Sequence, residues 1–159
     1  MDTFSKIVTD NQLQHLLAVW RFKEDVVVFT NGCFDLLHPG HISYLEKARS
    51  LGNRLIVGLN SDESVKRLKG SARPVNNQQD RARLLAALQC IDAVVVFEED
   101  TPARLIEEVK PDILVKGGDY SANQVVGASF VQSYGGRVEI LPFEVGYSST
   151  GILDKLKPR

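Results

Sequence analysis

Two histidines, His38 and His41, stand three residues apart with Pro39 and Gly40 between them. They follow a short β-branched run, Val26-Val27-Val28-Phe29, and open a stretch of helical spacing. A strand, a glycine loop and a helix start in this order suit an anion. Gly32 and Gly40 let backbone come close to a ligand. The helix N-terminus offers unpaired N–H groups and the positive end of its dipole, a seat for phosphate. At i and i+3 on the first turn both imidazoles can face one side. They can then donate hydrogen bonds to phosphoryl oxygens as charge builds in a transition state. Gly40 keeps a side chain away from the bound phosphates. Histidines at this spacing also serve as metal ligands or as helix caps. No further Cys or His completes a ligand set here, and only Asp35 is near.

Further polar residues fall just after other apolar runs. Lys116-Gly117-Gly118-Asp119 follows Ile113-Leu114-Val115, so backbone can pass close to a base or ribose while Asp119 accepts from hydroxyl or amino groups. Ser148-Ser149-Thr150 opens the last helical stretch, where hydroxyls and free N–H groups can hold phosphates or simply cap the helix. Arg73 and Arg81 carry planar guanidinium groups suited to bidentate phosphate binding. Arg81 starts a helix, where the dipole disfavours a cation. Asp35 can hold sugar hydroxyls or cap a loop. Cys33 reads as a small packing residue, because phosphoryl chemistry needs no thiolate.

The elements that must position these groups alternate along the chain. β-branched runs recur at 55–59, 93–97, 113–115 and 138–141, apolar without strict alternation, as in parallel strands covered on both faces. Between them the spacing predicts helices over 9–22, from 39 to a C-terminal glycine at Gly52, and over 61–68, 77–90, 101–109 and 123–134. Thr9 with Gln12 forms a capping box, and Thr101-Pro102 reads as an N-cap followed by proline at the first helical position. The fold class that follows is α/β, a doubly wound, Rossmann-like sheet of about five parallel strands. Its ligand belongs beyond the carboxyl ends of the strands.

The chain has 159 residues, 43% apolar and 25% charged, with 19 basic and 20 acidic side chains. Such a length and composition predict one domain over residues 1–159. A net charge of -1 provides no global attraction to nucleic acid or an anionic membrane. Two cysteines are too few for a disulfide framework, and no apolar run reaches the length of a membrane span. A GxGxxG dinucleotide loop is missing after the first strand, which argues against a dehydrogenase.

His38-Pro39-Gly40-His41 resembles the HxGH signature of the nucleotidyltransferase superfamily, and Gly32-Cys33-Phe34-Asp35 resembles its cytidylyltransferase-like branch. Arg73-Pro74-Val75-Asn76, Asp80-Arg81, Val115 to Tyr120 and Gly146 to Ile152 follow in the order of that branch. Together, over residues 10–157, they are similar to the D-glycero-β-D-manno-heptose 1-phosphate adenylyltransferases. Gly151 stands where many such proteins carry a larger residue.

The resemblance implies attack of heptose 1-phosphate on the α-phosphorus of ATP, giving ADP-heptose for lipopolysaccharide assembly and pyrophosphate. It implies His38, His41 and Lys47 as catalytic residues. Thr30, Asn31, Gly32, Cys33, Phe34, Gly40, Lys116, Gly118, Asp119, Ser148, Ser149 and Thr150 would bind nucleotide, and Asp35, Arg73 and Arg81 the sugar phosphate. Mg²⁺ would come with the ATP phosphates rather than in a dedicated protein site. A cytoplasmic homodimer is expected, with a separate heptose kinase acting upstream. Two alternatives stand beside it: a cytidylyltransferase for a polyol phosphate such as glycerol 3-phosphate, and a non-catalytic nucleotide-binding regulatory module.

Overall fold

A computed structural model describes residues 2–157. Five strands, β1 (Val27–Gly32), β2 (Arg54–Asn60), β3 (Ala93–Phe97), β4 (Ile113–Gly117) and β5 (Arg137–Leu141), form one parallel sheet in the order β3-β2-β1-β4-β5. Seven helices accompany them: α1 (Asp10–Phe22), α2 (Pro39–Ser50), α3 (Asp62–Lys69), α4 (Gln78–Ala86), α5 (Ala103–Val109), α6 (Ala128–Ser133) and α7 (Ser149–Leu156). Short 3-10 turns lie at Thr3–Lys6 and Ala122–Gln124.

The two-residue period of the strands divides the core into two layers. Val27 and Phe29 join Ile56, Val95 and Leu114 on one face, packed with Leu13 and Leu17 of α1, Leu105 and Ile106 of α5 and Val131 of α6. Val28 joins Leu55, Val57, Val94 and Val115 on the other, with Leu45 and Ala48 of α2 and Leu85 of α4. Burial on both faces explains the near-continuous apolar runs. Helices therefore cover both sides of the sheet, as the strand–helix alternation predicts. Winding reverses between β1 and β4, so the crevice for a ligand opens where the chain leaves β1 for α2.

Several local expectations change. The stretch 123–134 is not one helix, because Gly127 at φ +84° divides the Ala122–Gln124 turn from α6. Thr101 does not cap α5; Pro102 takes the N-cap position without a side-chain bond. The helix from Asn77 ends at Ala86 rather than Cys90. Gly52 is not a left-handed cap, since α2 ends on Leu51 in right-handed helical conformation. Its role is close approach: a Cβ there would stand 2.7 Å from the Val26 carbonyl oxygen. Gly52→Ala is therefore expected to destabilise the protein by about 1–3 kcal/mol, read as a lower urea midpoint with unchanged m-value.

Candidate active site

At the carboxyl edge of the sheet a cavity of about 670 Å³ opens. It collects twelve of the expected residues: Asn31, Gly32, Cys33, Phe34, Asp35, His38, Gly40, His41, Lys116, Ser148, Ser149 and Thr150. They come from the end of β1, the β1–α2 loop, the first turn of α2, the end of β4 and the start of α7. Chain order scatters these segments over 120 positions, and parallel pairing of β1 with β4 brings them to one edge.

The two histidines are fixed in different ways. His38 is the N-cap of α2, its Nδ1 accepting the His41 backbone N–H at 3.3 Å. An accepting Nδ1 carries no proton, so the proton of neutral His38 sits on Nε2. His41 stacks on it, ring centroids 3.8 Å apart, and its own Nδ1 is buried without a partner. An unpaired N–H at that buried position would cost more than a bare ring nitrogen, so Nε2 is the donor edge here as well. Burial holds the His41 pKa down to about 4, with further lowering from His38 and Lys69, and burial also lowers His38. Both rings are thus neutral donors near pH 7, fitted to stabilise phosphoryl oxygens rather than to remove a proton.

Beneath the histidines lies a buried polar frame. Asp35 is only 2% exposed; Arg73 Nε donates to its Oδ2 at 2.5 Å, and the backbone N–H groups of Val75 and Asn76 donate to Oδ1 at 2.8 and 3.1 Å. Arg81 is fully buried and donates to the carbonyls of Cys33 (2.6 Å), Asn60 (2.9 Å) and Asn76 (3.0 Å) and to Asp62 Oδ1 (2.8 Å). Burial pushes the Cys33 thiol up despite nearby cations, which keeps it protonated, as a packing role requires.

Six expected residues do not line the cavity. Arg81 has no surface to offer a substrate and serves the frame instead. Arg73 is engaged by Asp35. Lys47 follows His41 by six residues, about 1.7 turns, which leaves it about 120° round the helix; it is half exposed and pairs with Glu144 at 3.6 Å. Thr30 is buried, its hydroxyl shared with Tyr44 at 2.6 Å. Gly118, at φ +119°, lies under the rings of Phe143 and Tyr120. Asp119 is exposed and is not among the residues that line the cavity.

Sequence reasoning missed several cavity residues: Asn60, Thr101, Gln124, Phe143, Glu144 and Tyr147. Most sit on connections without periodicity, and their signal was position after a strand. Lys116 is half-buried, and burial lowers its pKa; among the described residues it has no carboxylate within ion-pair range. Lys69, at the end of α3, brings a second cation to the cavity.

Two outcomes follow from this geometry. Arg81→Met, which strips donors from three carbonyls and leaves Asp62 unpaired, is expected to cost about 3–5 kcal/mol in urea unfolding. An NMR titration should place the His41 midpoint near 4, against the ordinary 6.5. Because the folded pKa is depressed, the associated stability is present above pH 6.5 and lost as pH falls through about 4; a His41 midpoint near 6.5 would contradict the burial argument.

Residues 29–152 match the cytidylyltransferase-like family. The chain is 55% identical over 151 residues to the bifunctional protein HldE of Koribacter versatilis, covering 95% of this chain and 31% of that protein. It is 56% identical over 158 residues to that of Trichlorobacter lovleyi, covering 99% and 32%. The chain thus spans about a third of the length of these relatives. A lipopolysaccharide core biosynthesis protein from Thermoplasma volcanium superimposes with a TM-score of 0.62 at 30% identity, covering 76% of this chain and 97% of that one. Pantoate-β-alanine ligase from Francisella tularensis, at 18% identity and a TM-score of 0.62, shares the fold over 91% of this chain and 69% of its own. With two stacked histidines opening α2 after the first strand, and a family match across most of its length, the chain belongs to the cytidylyltransferase-like family of nucleotidyltransferases.

Proposed function

We propose that residues 1–159 act as one adenylyltransferase domain that joins D-glycero-β-D-manno-heptose 1-phosphate to the AMP part of ATP. A phosphate oxygen of the sugar 1-phosphate attacks the α-phosphorus in line, the bond to the bridging oxygen of the β-phosphate breaks, and pyrophosphate leaves. The attacking oxygen is already anionic, so no general base is needed. The observation that carries this reading is the pair of neutral, stacked histidines at the N-terminus of α2, donors on a cavity edge without a base between them. Similarity to the HldE proteins supports the place in ADP-heptose synthesis.

In this reading His38 and His41 donate through Nε2 to oxygens of the α-phosphate. The N–H groups opening α7 and the Thr150 hydroxyl receive the β- and γ-phosphates, while Ser149 already donates to the Leu36 carbonyl at 2.9 Å. Lys116 and Lys69 offset the charge of two anions that must meet. Phe143 and Tyr120, flanking the Gly117–Gly118 peptide, form the wall for the base. Asn60, Thr101 and Gln124 offer polar groups to sugar hydroxyls. Arg73 and Asp35 act on the acceptor through the loop they hold together. Among the described residues no cluster of His, Cys, Asp or Glu could hold a metal ion, and Asp35 is committed to Arg73. In this reading Mg²⁺ would come with ATP and neutralise its phosphates, and no step is routed through a protein-held metal.

We further place the protein in the cytoplasm as a homodimer, with the anomeric phosphate installed by a kinase reaction outside these 159 residues. No helix among the described residues is long and apolar enough to cross a membrane.

Pyrophosphate release decides the reaction. With Mg²⁺, ATP and heptose 1-phosphate should give turnover, whereas CTP with glycerol 3-phosphate should not. His41→Ala should lower kcat about 10²–10³-fold with an unchanged circular dichroism spectrum. Turnover only with CTP and the polyol phosphate would overturn base and acceptor together. Binding without turnover in any pair would favour the regulatory module.

A further inference from the structure

The catalytic histidines are the inner members of a column of four aromatic rings. Phe34 stands at one end, 5.3 Å from His41 and tilted by 58°. His41 and His38 stack at 3.8 Å and 19°. Tyr147 stands at the other end, 6.0 Å from His38 and 16° from parallel. The ends differ in origin. Phe34 is buried within the β1–α2 loop, whereas Tyr147 is 47% exposed and belongs to the connection between β5 and α7.

We propose that Tyr147 is a positioning residue for His38, its ring holding the imidazole plane so that Nε2 meets the reacting phosphate. Three observations carry this assignment. First, the only hydrogen bond the His38 side chain makes among the described residues, from the His41 N–H at 3.3 Å, is long and leaves the ring otherwise untethered on its outer face. Second, Gly40 is shaped around Tyr147. A Cβ at Gly40 would lie 2.8 Å from the Tyr147 Cβ and 3.1 Å from His38 Nδ1. The glycine between the histidines thus admits the tyrosine to the first turn of α2, besides any room it leaves for phosphate. Third, the connection is fastened on both sides of Tyr147. Glu144 accepts a hydrogen bond from the Ser43 hydroxyl and lies 3.6 Å from Lys47, both on α2. Ser149 donates to the Leu36 carbonyl at 2.9 Å, just before His38. Lys47, expected at the phosphates, therefore helps to hold the segment that carries Tyr147. The Tyr147 hydroxyl has no hydrogen-bond partner among the described residues, so the contact is made by the ring face alone.

The proposal rests on the transfer reaction described above, and two variants with two readouts separate it from that reaction. Tyr147→Leu removes the aromatic face at a half-exposed site where folding is preserved. It should lower kcat about 10–100-fold, the scale of a small misplacement of a catalytic group, with the KM for ATP changed less than threefold. Tyr147→Phe should restore turnover. In aromatic NMR spectra without substrate, Tyr147→Leu should shift the His38 ring protons downfield by removing a ring current, while Tyr147→Phe leaves them in place. Undiminished kcat in Tyr147→Leu overturns the proposal, as do unmoved His38 resonances or a phenylalanine variant as impaired as the leucine one. Absence of turnover in the unsubstituted protein would overturn the reaction itself, and the NMR arm would still decide whether Tyr147 holds His38.

Discussion

One buried guanidinium holds the site to the sheet. Arg81 lies on α4, fully enclosed, and reaches the Cys33 carbonyl after β1, the Asn60 carbonyl at the end of β2, the Asn76 carbonyl and the Asp62 carboxylate. Removing a charge from water is costly, and only a geometry that satisfies most of its donors compensates for it. Four hydrogen bonds to three stretches of chain, at Cys33, Asn60–Asp62 and Asn76, meet that condition. They also force the β1–α2 loop, α3 and the 73–77 loop to adopt one arrangement, because any one of them moving would leave a buried partner unpaired. Asp35 adds a second tie between the same loops through Arg73 and two backbone N–H groups.

Upon this frame the two histidines are kept neutral. His41 is pressed between Phe34 and His38, and burial suppresses its protonation. Neutral rings can donate hydrogen bonds to an anion without adding charge that would hold it tightly. The positive charge of the site is held elsewhere, on Lys116 and Lys69 at the cavity wall and on the N-terminal ends of α2 and α7. In the proposed transfer reaction, separating fixed donors from diffuse positive potential would let the site attract two anions and still discriminate the transition state from the ground state.

The connection from β5 to α7 links these parts. Phe143 rests on the side-chain-free Gly117–Gly118 peptide, Glu144 reaches back to α2, and Tyr147 meets His38. A single segment thus touches the wall assigned to the base and the ring assigned to the phosphate. This gives the otherwise irregular stretch 142–148 a physical reason to be ordered.

Much of this was legible in the amino-acid sequence. Parallel strands buried on both faces leave uninterrupted apolar runs, and a helix N-terminus after a glycine loop has few other uses than anion binding, so the sheet and the His38–His41 segment could be read locally. The capping box of Thr9 and Gln12 and the cap at Ser148 were legible for the same reason, since caps are satisfied within four residues. Arg81 was not, because one-dimensional spacing shows a cation at a helix start and cannot show the Cys33 and Asn60 carbonyls converging on it from distant segments. The surroundings of Lys47 were not legible either, because the residue it pairs with, Glu144, lies 97 residues away. The local order of apolar runs, glycines and caps determined the elements and the chemistry at their ends; which charges face the cavity and which are spent inside the protein was decided only when the sheet brought remote loops together, since burial and ion pairing are properties of neighbours in space.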